Sequence, residues 1–113
     1  MARVKVNPGA CGLITKVEVI EKGKNTFHLK IRSECEMVEK LGKELPSLHM
    51  MDAFKKILDN PVYRTGSMCL KHVSCPVPCA ILKALEAEAG LAVMKDVVIS
   101  FEKEKEKTDG KDT

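Results

Sequence analysis

Apolar and polar residues alternate along much of the first third of the chain, and that period of two predicts strands. Val4 and Val6 open the pattern, and Asn7-Pro8-Gly9 interrupts it with turn chemistry. A longer run from Leu13 to Glu21, rich in β-branched residues, predicts a second strand. Lys22-Gly23-Lys24-Asn25 separates it from Thr26 to Arg32, where Phe27, Leu29 and Ile31 share one face and His28, Lys30 and Arg32 the other. The two runs predict a hairpin with one buried face.

After Arg32 the period lengthens. Ser33-Glu34-Cys35-Glu36 fits a capping box with Ser33 at the N-cap, and Val38, Leu41 and Leu45 follow at helical spacing. Leu48, Met51, Phe54 and Leu58 continue at helical spacing after Pro46-Ser47. They predict a second helix with a core-facing stripe, ended by Asn60-Pro61. Residues 61–74 read as a connection with an extended piece around Cys69 to Val73. A last helix then opens at Pro76, carries Ile81, Leu82, Leu85 and Ala89 on one face, and stops at Gly90. Asp96 to Phe101 has strand composition, with Val97, Ile99 and Phe101 alternating. The expected class is α+β, a small antiparallel sheet of three to four strands with helices on one face. Residues 1–101 are expected to form a single domain. Glu102 to Thr113, nearly all charged or polar, reads as a disordered tail (102–113).

Composition narrows the function. At 113 residues and 44% hydrophobic content the chain supports one core. No run approaches the ~20 apolar residues of a membrane span, and the N-terminus lacks the apolar stretch of a secretory signal, so a cytoplasmic protein away from membranes is expected. The net charge is only +3, and three Phe, one Tyr and no Trp offer little on which bases could stack, which argues against nucleic acid. Five cysteines, an odd number, read in a reducing compartment as buried, catalytic or metal-bound thiols rather than disulfides.

Three of the five fall at breaks in the backbone pattern: Cys11 in an interstrand loop, Cys35 at the first predicted helix start, Cys75 at the last. The positive end of a helix favours the thiolate, the form that binds metal or attacks sulfur. Against that stands the ordinary behaviour of cysteine as a small buried apolar residue, the preferred reading for Cys69. Cys79, one turn past Cys75, fits either the core or the same pocket, and His72 is an available nitrogen. His28, His49 and Met50-Met51 read as structural residues.

The whole layout resembles the IscU-type, or NifU N-terminal, iron-sulfur cluster scaffold family (SufE/NifU-like fold). That family places a first cysteine in an Ala-Cys-Gly-Asp loop, a second at a helix start after a hairpin, and a third before a long alanine-rich helix. Ala10-Cys11-Gly12, Cys35, and Cys75 before Ala80-Ile81-Leu82-Lys83-Ala84-Leu85 match that order over roughly residues 3–90. The resemblance implies that Cys11, Cys35 and Cys75 hold an iron-sulfur cluster or zinc, with Cys79 or His72 as a fourth ligand. It also implies a cysteine desulfurase and a cluster- or sulfur-accepting protein as partners, and no enzymatic activity of the protein's own. The sequence departs from the family at Leu13, where the family has Asp, and at Ser74, where it has His. It lacks the Leu-Pro-Pro-Val-Lys segment before the third cysteine and adds the strand-like residues 96–101. Two alternatives stand beside it. Cys75-Pro76-Val77-Pro78 resembles the Cys-Pro-x-Pro motif of TusA-type sulfur carriers, which would make Cys75 a persulfide acceptor. A non-catalytic binding module tied together by zinc is the other.

Overall fold

A computed structural model describes residues 1–103; most of the segment read as a disordered tail, 104–113, lies outside the described residues. Four strands, β1 (Ala2–Val6), β2 (Thr15–Gly23), β3 (Thr26–Ser33) and β4 (Ser47–His49), form an antiparallel meander in chain order. Among the described residues there are also three α-helices, α1 (Glu36–Glu44), α2 (Pro61–Cys69) and α3 (Val77–Glu88). The class is the expected α+β.

The hairpin forms as its alternation requires. Val17 pairs with Ile31 and Val19 with Leu29, and the turn places Asn25 at φ 57°, a left-handed conformation that asparagine tolerates. Ala2, Val6, Val17, Val19, Phe27 and Leu29 point inward to Val38 and Leu41 of α1 and to Val77, Ile81, Ala84 and Leu85 of α3. Helix α1 lies so near β3 that a methyl at Gly42 would stand 2.8 Å from Ile31 Cβ. The other face of the sheet is open and cationic: Lys5, Lys16 and Arg32 are cross-strand neighbours, as are Arg3, Glu18 and Lys30. Only the second row contains a compensating pair, Arg3 Nε to Glu18 Oε2 at 3.2 Å.

The structure corrects the sequence reading in four places. The cap of α1 is shifted: Cys35 is the N-cap with no side-chain hydrogen bond, Cys35 N donates to Ser33 Oγ, and Glu39, not Glu36, reaches back to accept from Ser33 N at 2.6 Å.

The helix expected over 48–58 does not form. Leu48 pairs with Phe27 in β4, and two 3₁₀ turns follow, Met50–Ala53 and Ile57–Asp59. Asn60 explains why: its Nδ2 donates to the carbonyls of Asp52 (2.7 Å) and Lys55 (3.2 Å), acceptors that a continuing α-helix would use itself. Leu48 is buried, but Met51, Phe54 and Leu58 are exposed, Leu58 at 87%.

Asn60-Pro61 begins a helix rather than ending one. Asn60 Oδ1 accepts from Val62 N and Pro61 occupies the first turn, so residues 61–69, read as a connection, are α2. No extended piece forms at Cys69, the last residue of that helix.

The strand expected at 96–101 is absent, because strand composition needs a partner strand and the sheet ends at β1 and β4.

Candidate functional site

Three separate segments meet at one end of the sheet. The loop between β1 and β2 is folded by Asn7, whose Oδ1 accepts from Gly9 N, and by a Gly12 N to Gly9 O turn; Gly9 and Gly12 take positive φ. Its exit is tied to the β3–α1 turn twice, by Ile14 N to Glu34 Oε1 at 3.0 Å and Glu34 N to Ile14 O at 3.1 Å. That double tie brings the Cys11 loop beside the turn carrying Cys35. The third segment precedes α3, where Cys75 N donates to His72 O in a tight turn and places Cys75 two residues before the first helical residue, Val77.

Between them lies a cleft of ≈ 380 Å³, lined by Cys11, Cys35, His72 and Cys75 and by apolar side chains including Leu13 and Leu70. A cleft of this size suits a small ligand rather than a lone ion. Cys11 and His72 are exposed, whereas Cys35 and Cys75 are half-buried. Burial pushes the Cys75 thiol above its ordinary range. A hydrogen bond from the Val77 backbone opposes the shift, and the nearby thiols of Cys35 and then Cys11 add to it. A cation among these sulfurs would act in the opposite sense.

Among the described residues no group of three or more His, Cys, Asp or Glu side chains is arranged to hold a metal ion. A single zinc needs thiolates at ~2.3 Å from the metal, hence sulfurs within roughly 4 Å of one another. The four donors share a cleft without forming such a shell.

The remaining cysteines stand apart. Cys69 packs against the core at the end of α2, and Cys79 is exposed and does not line the cleft. It faces α2, where Tyr63 is raised above its usual range by burial and, to a lesser degree, by Cys79. Of the two candidates for a fourth donor, His72 is the one at the cleft. His49 has a structural partner, its Nδ1 accepting from Met51 N while Asp52 Oδ2 accepts from His49 N, and His28 is exposed on the open sheet face. Sequence reasoning missed Leu70 as a cleft wall, since it lies outside strands and helices and carries no periodic signal, and marked Leu13 only as a departure from the resembled family.

The site and fold define a small α+β domain with a thiol-lined cleft at the mouth of its last helix. The chain matches the family described as "Family of unknown function (DUF6951)" over residues 2–101 and belongs to it. No curated protein and no solved structure matches the chain. Among the described residues no helix is long and apolar enough to cross a membrane.

Proposed function

We propose that this protein is a scaffold-like carrier of an iron-sulfur cluster, held by Cys11, Cys35 and Cys75 with His72 as the fourth donor. One observation carries the reading: three cysteines far apart in sequence line a single cleft with a histidine, while Cys69 and Cys79 do not. Thiolate and imidazole donors select soft metals and iron-sulfur clusters. A multi-iron cluster, whose ligands sit on different irons, tolerates donors set wider than one ion's shell, so it fits the open arrangement better than a structural zinc. Leu13, at the cleft where the resembled family carries a carboxylate, shields such a group from water. A cysteine desulfurase as sulfur donor and a cluster-accepting protein are the partners this role requires.

The test is metal and acid-labile sulfide content after anaerobic purification and reconstitution with iron and sulfide. Iron and sulfide bound to the native chain, and lost in each of Cys11→Ala, Cys35→Ala and Cys75→Ala but not in Cys79→Ala, is the expected result. Metal-free protein carrying a persulfide on Cys75 alone would replace the proposal with a sulfur carrier. Zinc alone, without sulfide, would replace it with a zinc-tied binding module.

A further inference from the structure

Residues 90–103, after α3, end in a stretch of strand composition that pairs with no strand among the described residues. Gly90 turns the backbone at φ 76°, Leu91 N closes onto Glu86 O, and from residue 90 to 103 every side chain is exposed. Within this arm Val98 is 77%, Ile99 85% and Phe101 103% exposed. Residues 96–101 have the β-branched and aromatic composition of a strand, with Val97, Ile99 and Phe101 on one face and Asp96, Ser100 and Glu102 on the other, where Val98 is the one apolar exception.

The opposite deficiency lies at β1. It is an edge strand, hydrogen-bonded to β2 alone, so half its backbone groups face outward. Its two faces mirror those of the arm. Ala2 and Val6 are buried beneath α3 and Val4 is only partly covered, while Arg3 and Lys5 stand on the open cationic face. A strand laid beside β1 with Val97, Ile99 and Phe101 inward would extend the apolar layer over Val4. The same placement puts Asp96 and Glu102 on the face of Arg3 and Lys5, next to the Lys5, Lys16 and Arg32 row, which contains no carboxylate.

We propose that residues 96–102 add as a fifth strand to the β1 edge of a second copy of this chain, and reciprocally, so that the protein is an arm-exchanged dimer. The arm stands off its own body while its own β1 edge stays open, and one two-fold exchange closes both deficits in both copies. The area suffices. Val97, Ile99 and Phe101 offer roughly 100 Å² each. With both arms and the surfaces they cover, the total is on the order of 1,200 Å², at the lower end of the ~1,200–2,000 Å² of stable interfaces. This interface lies outside the thiol cleft and is independent of what the cleft binds.

Light scattering behind size-exclusion chromatography on the full chain at micromolar concentration provides the test. Twice the chain mass is expected, and Ile99→Asp, a change at a residue the folded chain leaves in water, should give a folded monomer by circular dichroism. Reversing Arg3 and Lys5 to Glu should weaken the dimer by roughly tenfold or more. Reversing Asp96 and Glu102 to Lys in the same chain should restore it. A monomeric native chain overturns the proposal, including one whose arm amides are protected from exchange by docking on their own β1. A dimer that survives Ile99→Asp, or a double reversal that fails to restore association, overturns it as well.

Discussion

Helices α2 and α3 begin alike, each at a proline beside a small polar or sulfur-bearing residue, yet their mouths are finished in opposite ways. At α2, Asn60 is 1% exposed and its amide is fully used: Oδ1 accepts from Val62 N, and Nδ2 donates to the carbonyls of Asp52 and Lys55. At α3, Pro76 caps without any side-chain hydrogen bond, and Cys75 is left half-buried at a cleft. One mouth has its polar groups spent on the fold. The other keeps donors and a thiol in reserve, the condition for binding something.

The sharpest way to break this contrast is Asn60→Ala. It removes an N-cap and strands the buried Asp52 carbonyl and the part-buried Lys55 carbonyl, so a loss of about 2–3 kcal/mol is expected in urea unfolding, with the effect felt by the 3₁₀ turns and α2 together. Cys75→Ala should cost less than ~1 kcal/mol by the same measurement, because no protein hydrogen-bond partner of comparable number depends on its side chain. A Cys75→Ala loss as large as that of Asn60→Ala would make the α3 mouth structural too.

Between these extremes lies Gly42→Ala on α1. Helix propensity alone favours the alanine by ~1 kcal/mol, but its methyl would meet Ile31 Cβ at 2.8 Å. A net destabilisation of about 1–2 kcal/mol is expected from overpacking, read as a fall in urea midpoint. Unlike the two mouths, this site tests backbone approach with no polar group involved.

The same contrast explains what could be read from the sequence. The hairpin, α1 and α3 were legible because their apolar positions repeat over several turns or pleats, as with Phe27, Leu29 and Ile31, or Ile81 and Leu85. Residues 48–58 show an equally good helical repeat, and it misleads: Leu48 is claimed by strand pairing to Phe27, and Asn60 takes the carbonyls the helix would need. Those are long-range and side-chain decisions that periodicity does not encode. The start of α2 did carry a local signal, asparagine at the N-cap with proline at the first helical position, but Asn-Pro reads as a terminator if the preceding segment is taken for a helix. The site was half legible. Pattern breaks marked Cys11, Cys35 and Cys75, which line one cleft, whereas whether His72 or Cys79 lines it with them depends on which way the α3 mouth faces.

Alkylation sharpens the comparison within α3 itself. In the native chain Cys11 and Cys79, both exposed, should react ahead of the half-buried Cys35, Cys69 and Cys75. After reconstitution with iron and sulfide, protection should appear at Cys11, Cys35 and Cys75 by mass spectrometry and leave Cys79 reactive. Protection at Cys79 would mean that the mouth opens differently from the arrangement seen.

The smallest expected effect links the two helices directly. Tyr63, in the first turns of α2, is the chain's one tyrosine, so its ionisation can be followed by ultraviolet absorbance without ambiguity. Burial is the main cause that holds its phenol above the usual range, with the Cys79 thiolate second. The folded midpoint should therefore lie above that of the urea-unfolded chain. Because the folded state holds the proton more tightly, this contribution to stability is complete below the unfolded midpoint and is lost as pH rises through the folded one. Cys79→Ser should lower the folded midpoint only slightly, since it removes the second cause and leaves the first. A drop all the way to the unfolded value would mean that Tyr63 is held by charge rather than by packing. The α2 and α3 mouths would then be electrostatically joined through Cys79, and the separation between a closed mouth and an open one would fail at the point where the two helices touch.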